Sequence, residues 1–161
     1  MSDQADLVAR FWKTLKADRT VMLGLSEVEG GHAQPMTALF EGDHSGPLWI
    51  FTSSETSLVS ALGSETLDGI LNFVSKGHEL FATVQGRLCL DTDRATVDRL
   101  WNPAIAAWYA GREDPKLRLL RFEPGAAQIW LNEHSLMAGV KMLLGADPKA
   151  DYKDKVAEVR L

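Results

Sequence analysis

The chain has 161 residues, 45% of them hydrophobic and 24% charged, the composition of an ordinary folded protein rather than a disordered or fibrous one. Seventeen Lys and Arg stand against 22 Asp and Glu, and the net charge of −5 repels phosphate backbones and anionic lipid, so no nucleic acid and no membrane is expected as a partner. At this length roughly 68–70% of the unfolded surface can be buried, which suits one domain over residues 1–161 without a disulfide or structural metal.

The N-terminus carries Asp3 and Asp6 and shows neither a basic leader nor a continuous apolar stretch, so a cytoplasmic protein is expected. Within residues 1–18, Leu7, Val8, Phe11, Trp12 and Leu15 recur at helical spacing, which predicts an amphipathic helix over 4–17 lying on the protein's own core. Val21 to Leu25 is a short apolar run, Gly30-Gly31 breaks the chain, and a second run from Ala33 to Phe40 completes a hairpin. Asp43-His44-Ser45-Gly46-Pro47 reads as a turn, and Leu48-Trp49-Ile50-Phe51-Thr52 as the third strand. Ser53-Ser54-Glu55-Thr56 then caps a short helix that Gly63 ends.

Residues 70–74 and 80–85 flank Lys76-Gly77 as another hairpin, the second strand continuing past Gly86 to Leu90. Asp93 is an N-cap for a helix through Val97, Leu100 and Trp101, and Pro103 interrupts it before a helical segment from Ile105 to Tyr109. Strands over 117–122 and 126–131 are joined by Glu123-Pro124-Gly125, read as a tight turn, and the tail over 132–161 is expected to be exposed and loose. About seven strands, mostly in meander order with peripheral helices, predict a mainly β protein closed as an antiparallel barrel.

Chemical signatures are few. His32, His44, His78 and His134 are scattered and belong to no paired ligand set, so no metal is expected. Cys89 lies among apolar neighbours and is expected in the core, and no nucleotide-binding glycine loop or serine-hydrolase elbow occurs.

Three ordered stretches do carry a resemblance: Gln34-Pro35-Met36-Thr37, Leu48-Trp49-Ile50-Phe51-Thr52-Ser53 with its serine-bearing turn, and Phe122-Glu123-Pro124-Gly125 leading to Trp130. They resemble the pyridoxamine 5′-phosphate oxidase-like, FMN-binding split barrels. Leu100-Trp101-Asn102-Pro103, Trp108-Tyr109 and Gly111-Arg112-Glu113-Asp114-Pro115 are similar to its bacterial general stress protein branch. The resemblance implies an antiparallel split β-barrel and a homodimer with two equivalent flavins in grooves between subunits. It places the cofactor at Gln34, Pro35, Met36, Thr37, Ile50, Phe51, Thr52, Ser53, Ser54, Ser57, Leu58, Trp108 and Trp130. Trp130 would approach the flavin bound mainly by the other subunit, while Trp108 and Trp130 are equally readable as core or interface aromatics.

Where the family commonly has arginine and lysine for the FMN phosphate, this chain has Gln34 and Leu58. Losing charge-assisted hydrogen bonds worth about 1.5–3 kcal/mol each weakens phosphate binding unless hydroxyls such as those of Thr52, Ser53, Ser54, Thr56 and Ser57 compensate, and leaves FAD as an alternative ligand. No residue stands out as a general acid or base, so catalytic residues are unassigned and enzyme activity stays open; in flavin enzymes the cofactor carries the redox chemistry. The alternative is a non-catalytic interaction or scavenging module of the same fold that has lost tight flavin binding.

Overall fold

The computed structural model describes residues 4–43, 45–132 and 156–161; His44, His134 and the tail over 133–155 lie outside the described residues. Helix α1 (Gln4–Ala17) forms where the helical spacing predicts it, and its stripe Leu7, Phe11, Trp12 and Leu15 is buried. Phe11 meets Trp12 and Phe73 edge-on, and Trp12 meets Phe40, so the helix seals the main core with aromatic contacts.

β1 (Thr20–Leu25) and β2 (Gln34–Thr37) form the first hairpin. After β3 (Leu48–Ser53), the short helix α2 (Ser57–Leu62) is capped by Thr56, whose Oγ1 accepts from Val59 N, and not by the serines before it. β4 (Leu67–Val74) and β5 (Leu80–Leu90) form the second hairpin, whose turn is held by Ser75 Oγ accepting from the amides of Glu79 and Leu80. Asp93 caps α3 (Arg94–Leu100) and Asn102 caps α4 (Pro103–Ala106), which stops short of the expected Tyr109.

Two expectations are corrected at the C-terminal end. Residues 117–131 are one strand, β6 (Leu117–Leu131), running through Pro124-Gly125 without turning back. The tail is not loose throughout, because β7 (Val156–Arg160) pairs antiparallel with β6. Among the described residues the count of seven strands therefore holds with different members.

The strand order is β2-β1-β4-β5-β6-β3, with β7 also on β6. It departs from a meander because β3 crosses to the far side and pairs with the first half of β6, Leu48 opposite Phe122. β7 takes the second half of that same edge, so Pro124, which has no N–H to offer, falls between the two partners.

Period-two alternation divides the core. On β3, Leu48 and Ile50 point into the barrel, while Trp49 joins Leu39, Val97, Ile105, Leu117 and Leu119 in a second cluster beneath α3 and α4, against which Phe51 packs. Gly69 and Gly86, paired across β4 and β5, make room for the Phe122 ring; a Cβ on Gly86 would stand 2.5 Å from Phe122 Cζ. Cys89 is half-exposed opposite Arg121, not in the core as expected.

Candidate functional site

The barrel closes imperfectly between β2 and β3, and that imperfection makes the site. Leu39 and Trp49 exchange two backbone hydrogen bonds, 2.8 and 2.7 Å, which pin one end of the seam. Carrying that antiparallel register onward would set Thr37 opposite Phe51 and Pro35 opposite Ser53, yet among the described residues no backbone bond joins them. At the far end Gln34 Nε2 donates to Ser57 Oγ at 2.6 Å and ties the lips together again. Two facing strand edges with unused backbone donors and acceptors thus flank a gap tied at both ends.

This gap opens into a groove of about 930 Å³. One lip is Gln34, Pro35, Met36 and Thr37; the other is Phe51, Thr52, Ser53 and Thr56; the helical pair contributes Trp101, Asn102, Ile105, Trp108 and Tyr109. Phe51 meets Trp101 edge-on at 6.0 Å, and Trp101 meets Tyr109, giving the groove an aromatic wall. Trp108, at 84% exposure, stands at the rim and is no core residue. Burial, and then the nearby Asp114 carboxylate, hold the Tyr109 phenol above its usual range, so it stays a hydroxyl donor. Asp114 accepts from the amides of Ala110 and Lys116, both at 2.9 Å, which fixes the segment following Tyr109 and holds the Asp114 carboxyl below its usual range.

Of the residues expected at a flavin site, Gln34, Pro35, Met36, Thr37, Phe51, Thr52, Ser53 and Trp108 are brought together here. Ser57 contributes through Gln34, and Ser54 donates its amide to Lys116 O. The side chains of Ile50 and Leu58 do not reach the groove: both are fully buried in the main core. Trp130 lies elsewhere, on the outward face of β6, paired with Phe81 on β5 and Val156 on β7.

The groove also holds two cations that the sequence does not advertise, Arg19 at the start of β1 and Arg99 on α3. Arg99 is matched: its Nε and Nη2 donate to Glu41 at 3.0 and 3.2 Å, and the carboxylate raises its pKa further above the ordinary value. Arg19 lies over the Phe40 ring, 5.7 Å from its centroid. Among the described residues the lining contains no Asp, Glu, His, Lys or Cys, so it offers no general acid–base pair and no nucleophile with a base. Nor is any group of three or more His, Cys, Asp or Glu placed to hold a metal among the described residues.

A closed antiparallel barrel with a lateral, aromatic-walled groove at its split seam defines a split-barrel protein with a site for a planar ligand. The chain belongs to the pyridoxamine 5′-phosphate oxidase-like family, which matches residues 6–152. Among solved structures it is similar to the general stress FMN/FAD binding protein from Xanthomonas citri, at 58% identity and a TM-score of 0.77, covering 82% of this chain and 93% of that one. A Xanthomonas campestris pv. campestris protein assigned to a general stress family is also 58% identical, with TM-score 0.77 and coverage of 84% and 94%. A Jannaschia protein assigned as a general stress protein 26 is 27% identical, with TM-score 0.78 and coverage of 98% and 99%. No curated protein matches the chain.

Proposed function

We propose that the chain is a cytoplasmic general stress protein of one domain that binds a flavin, FMN or FAD, in the groove between β2 and β3, and that it works as a homodimer. The observation that carries this reading is the split seam itself. A flavin needs flat apolar cover and backbone groups for the hydrogen-bonding edge of its ring, and the seam supplies Met36, Phe51 and Trp101 beside two unpaired strand edges. The volume of about 930 Å³ is within the range of cofactor sites. The name of the Xanthomonas citri relative, an FMN/FAD binding protein, agrees. Nucleic acid is not a partner in this reading, in keeping with the net charge of −5; among the described residues no helix is long and apolar enough to cross a membrane. With no acid–base pair in the lining, redox chemistry would be that of the flavin ring.

Titration of the purified protein with riboflavin, FMN and FAD, read by quenching of flavin fluorescence, tests the proposal. All three should saturate at one site per chain. Absence of quenching by every flavin at about 1 mM, an affinity too weak to matter, would overturn it. The second reading, a module that has lost tight flavin binding, is favoured by one observation: Gln34 is neutral and Leu58 is fully buried, so neither family phosphate position presents a cation. Flavin absorbance in the protein as isolated separates the two.

A further inference from the structure

We infer that the Trp101–Tyr109 pair in the groove wall is an electron relay that quenches the photoexcited state of a bound flavin, so that the protein holds flavin photochemically silent. This rests on the flavin reading above and adds a light-protective activity to it. A photoexcited flavin is a strong one-electron oxidant that otherwise sensitises oxygen and degrades its own side chain. After thiols, indole and phenol are the side chains that give up an electron most readily. Among the described residues the groove is lined by Trp101, Trp108 and Tyr109 and by no Cys. The other tryptophans lie elsewhere: Trp12 in the main core, Trp49 in the second cluster and Trp130 on the outward face of β6.

The wall holds this pair in place and gives it a direction. Trp101 directly follows α3; its amide donates to Val97 O at 2.9 Å, and Asn102 then caps α4 by accepting from Ile105 N at 3.1 Å, so a helix fixes the chain on either side. The half-buried Trp101 ring meets Phe51 edge-on at 6.0 Å and Tyr109 at 6.4 Å. These are contact separations for aromatic rings, so no gap interrupts the path from the strand edge at Phe51 to Tyr109. Trp108, at 84% exposure, makes no ring contact among the described residues and stands off that path. Charge sets the direction. The Arg112 guanidinium lies over Trp101, 5.9 Å from its centroid, and disfavours positive charge on the indole, whereas the Asp114 carboxylate near Tyr109 favours it there. Trp101 therefore gives one electron to the photoexcited ring, and Tyr109 refills the indole while releasing its phenolic proton to water in the open groove. Return of the electron and the proton to Tyr109 restores every group, with no net oxidation and no outside reductant.

The test compares the parent with Trp101→Phe, Tyr109→Phe and Trp108→Phe, each checked by thermal melting and saturated with riboflavin or FMN as shown by equilibrium dialysis. The emission lifetime of the bound flavin is then read independently of how tightly it is held. The parent should shorten that lifetime by an order of magnitude or more relative to free flavin. Trp101→Phe should restore most of it, because phenylalanine keeps the ring contact but is not oxidised, and Trp108→Phe should leave it short. Tyr109→Phe should also stay short, but transient absorption should show an oxidised indole without the tyrosyl radical that the parent forms. Under blue light in air, flavin bound to the parent should lose absorbance severalfold more slowly than free flavin, and Trp101→Phe should forfeit that advantage. The inference is overturned if flavin bound to the parent emits or bleaches like free flavin, or if its lifetime in Trp101→Phe is as short as in the parent. Flavin retained on dialysis in that case leaves the flavin reading standing on the dialysis, whereas a parent that retains no flavin removes that reading first.

Discussion

Asp114 shows how one side chain outside the groove can set what happens inside it. Its carboxylate accepts from the amides of Ala110 and Lys116, and the segment so held follows directly on Tyr109 in the groove wall. Those two amides lower the Asp114 pKa, with a smaller lowering by Lys116 charge. A carboxyl depressed by folding contributes stability that is complete above its unfolded value, near the ordinary carboxylate range, and is lost as pH falls through the lower folded value. Flavin affinity should therefore be flat from neutral pH down to the ordinary carboxylate range and fall only below it, as far as this group governs it. Asp114→Ala should bring the loss to neutral pH: freeing the segment that follows Tyr109 should weaken flavin binding about twofold to tenfold, the scale of one neutral hydrogen bond to a ligand. Fluorescence titration of the variant at pH 7 checks this, and an affinity equal to the parent's would show that Tyr109 is positioned without Asp114. Nothing in the sequence pointed to Arg19, by contrast. It sits between an amphipathic helix and a strand, and only the long-range pairing of β1 with β2 carries it to the groove.

At the scale of elements, the periodic segments were legible and the interruptions misled. α1 and the hairpins β1–β2 and β4–β5 follow directly from helical spacing, from alternation and from the breaks at Gly30-Gly31 and Lys76-Gly77. Pro124-Gly125 has the chemistry of a turn, yet β6 runs straight through it and bulges at Gly125-Ala126. Val84 pairs with Ala127 and Gly86 with Pro124, so two residues of β6 stand opposite Gln85 alone. The bulge shifts the alternation by one residue: Leu120 and Phe122 face the barrel before it, Ala127, Ile129 and Leu131 after it. That change of parity is visible in the sequence, and so is the alternation of Ala157, Val159 and Leu161 against Glu158 and Arg160 in β7, where the preceding charges hid a five-residue strand. Val159 is buried and Glu158 exposed on that strand. Val159→Ala should cost about 1–3 kcal/mol through lost apolar burial and an unfilled space, lowering Tm by about 2–4 °C per kcal/mol, while Glu158→Ala should stay within about 0.5 kcal/mol. Equal effects in thermal melts would mean that β7 does not close the core.

The whole molecule leaves an apolar strip on the outside of its sheet, and that strip bears on assembly. Because of the bulge, Trp130 points outward, and cross-strand pairing lines it up with Val74, Phe81 and Val156 across β4, β5, β6 and β7. Val74 is 48% exposed, and Phe81 and Trp130 are half-exposed, with the His78 ring stacked near Phe81. A row of this kind lies away from the groove of its own chain, so its aromatic surface is available to cover a second copy. This fits the homodimer proposed above, in which Trp130 approaches the partner's flavin. Buried tryptophans are frequent anchors of interfaces, and truncating one commonly costs about 2 kcal/mol or more, about a thirtyfold weakening of association. The parent should sediment as a dimer of the 17.7 kDa chain at micromolar concentration, Trp130→Phe should remain largely dimeric because much of the apolar area persists, and Trp130→Ala should dissociate. Thermal melting must show both variants folded, since Trp130 pairs with strands on both sides, at one end of the β5–β6–β7 ladder. Flavin affinity separates the two roles of the side chain. If Trp130→Ala stays dimeric yet binds FMN severalfold more weakly, the ring touches the cofactor without anchoring the dimer; if it stays dimeric with unchanged affinity, Trp130 is a structural aromatic of the outer sheet and the site does not extend across the interface at this residue.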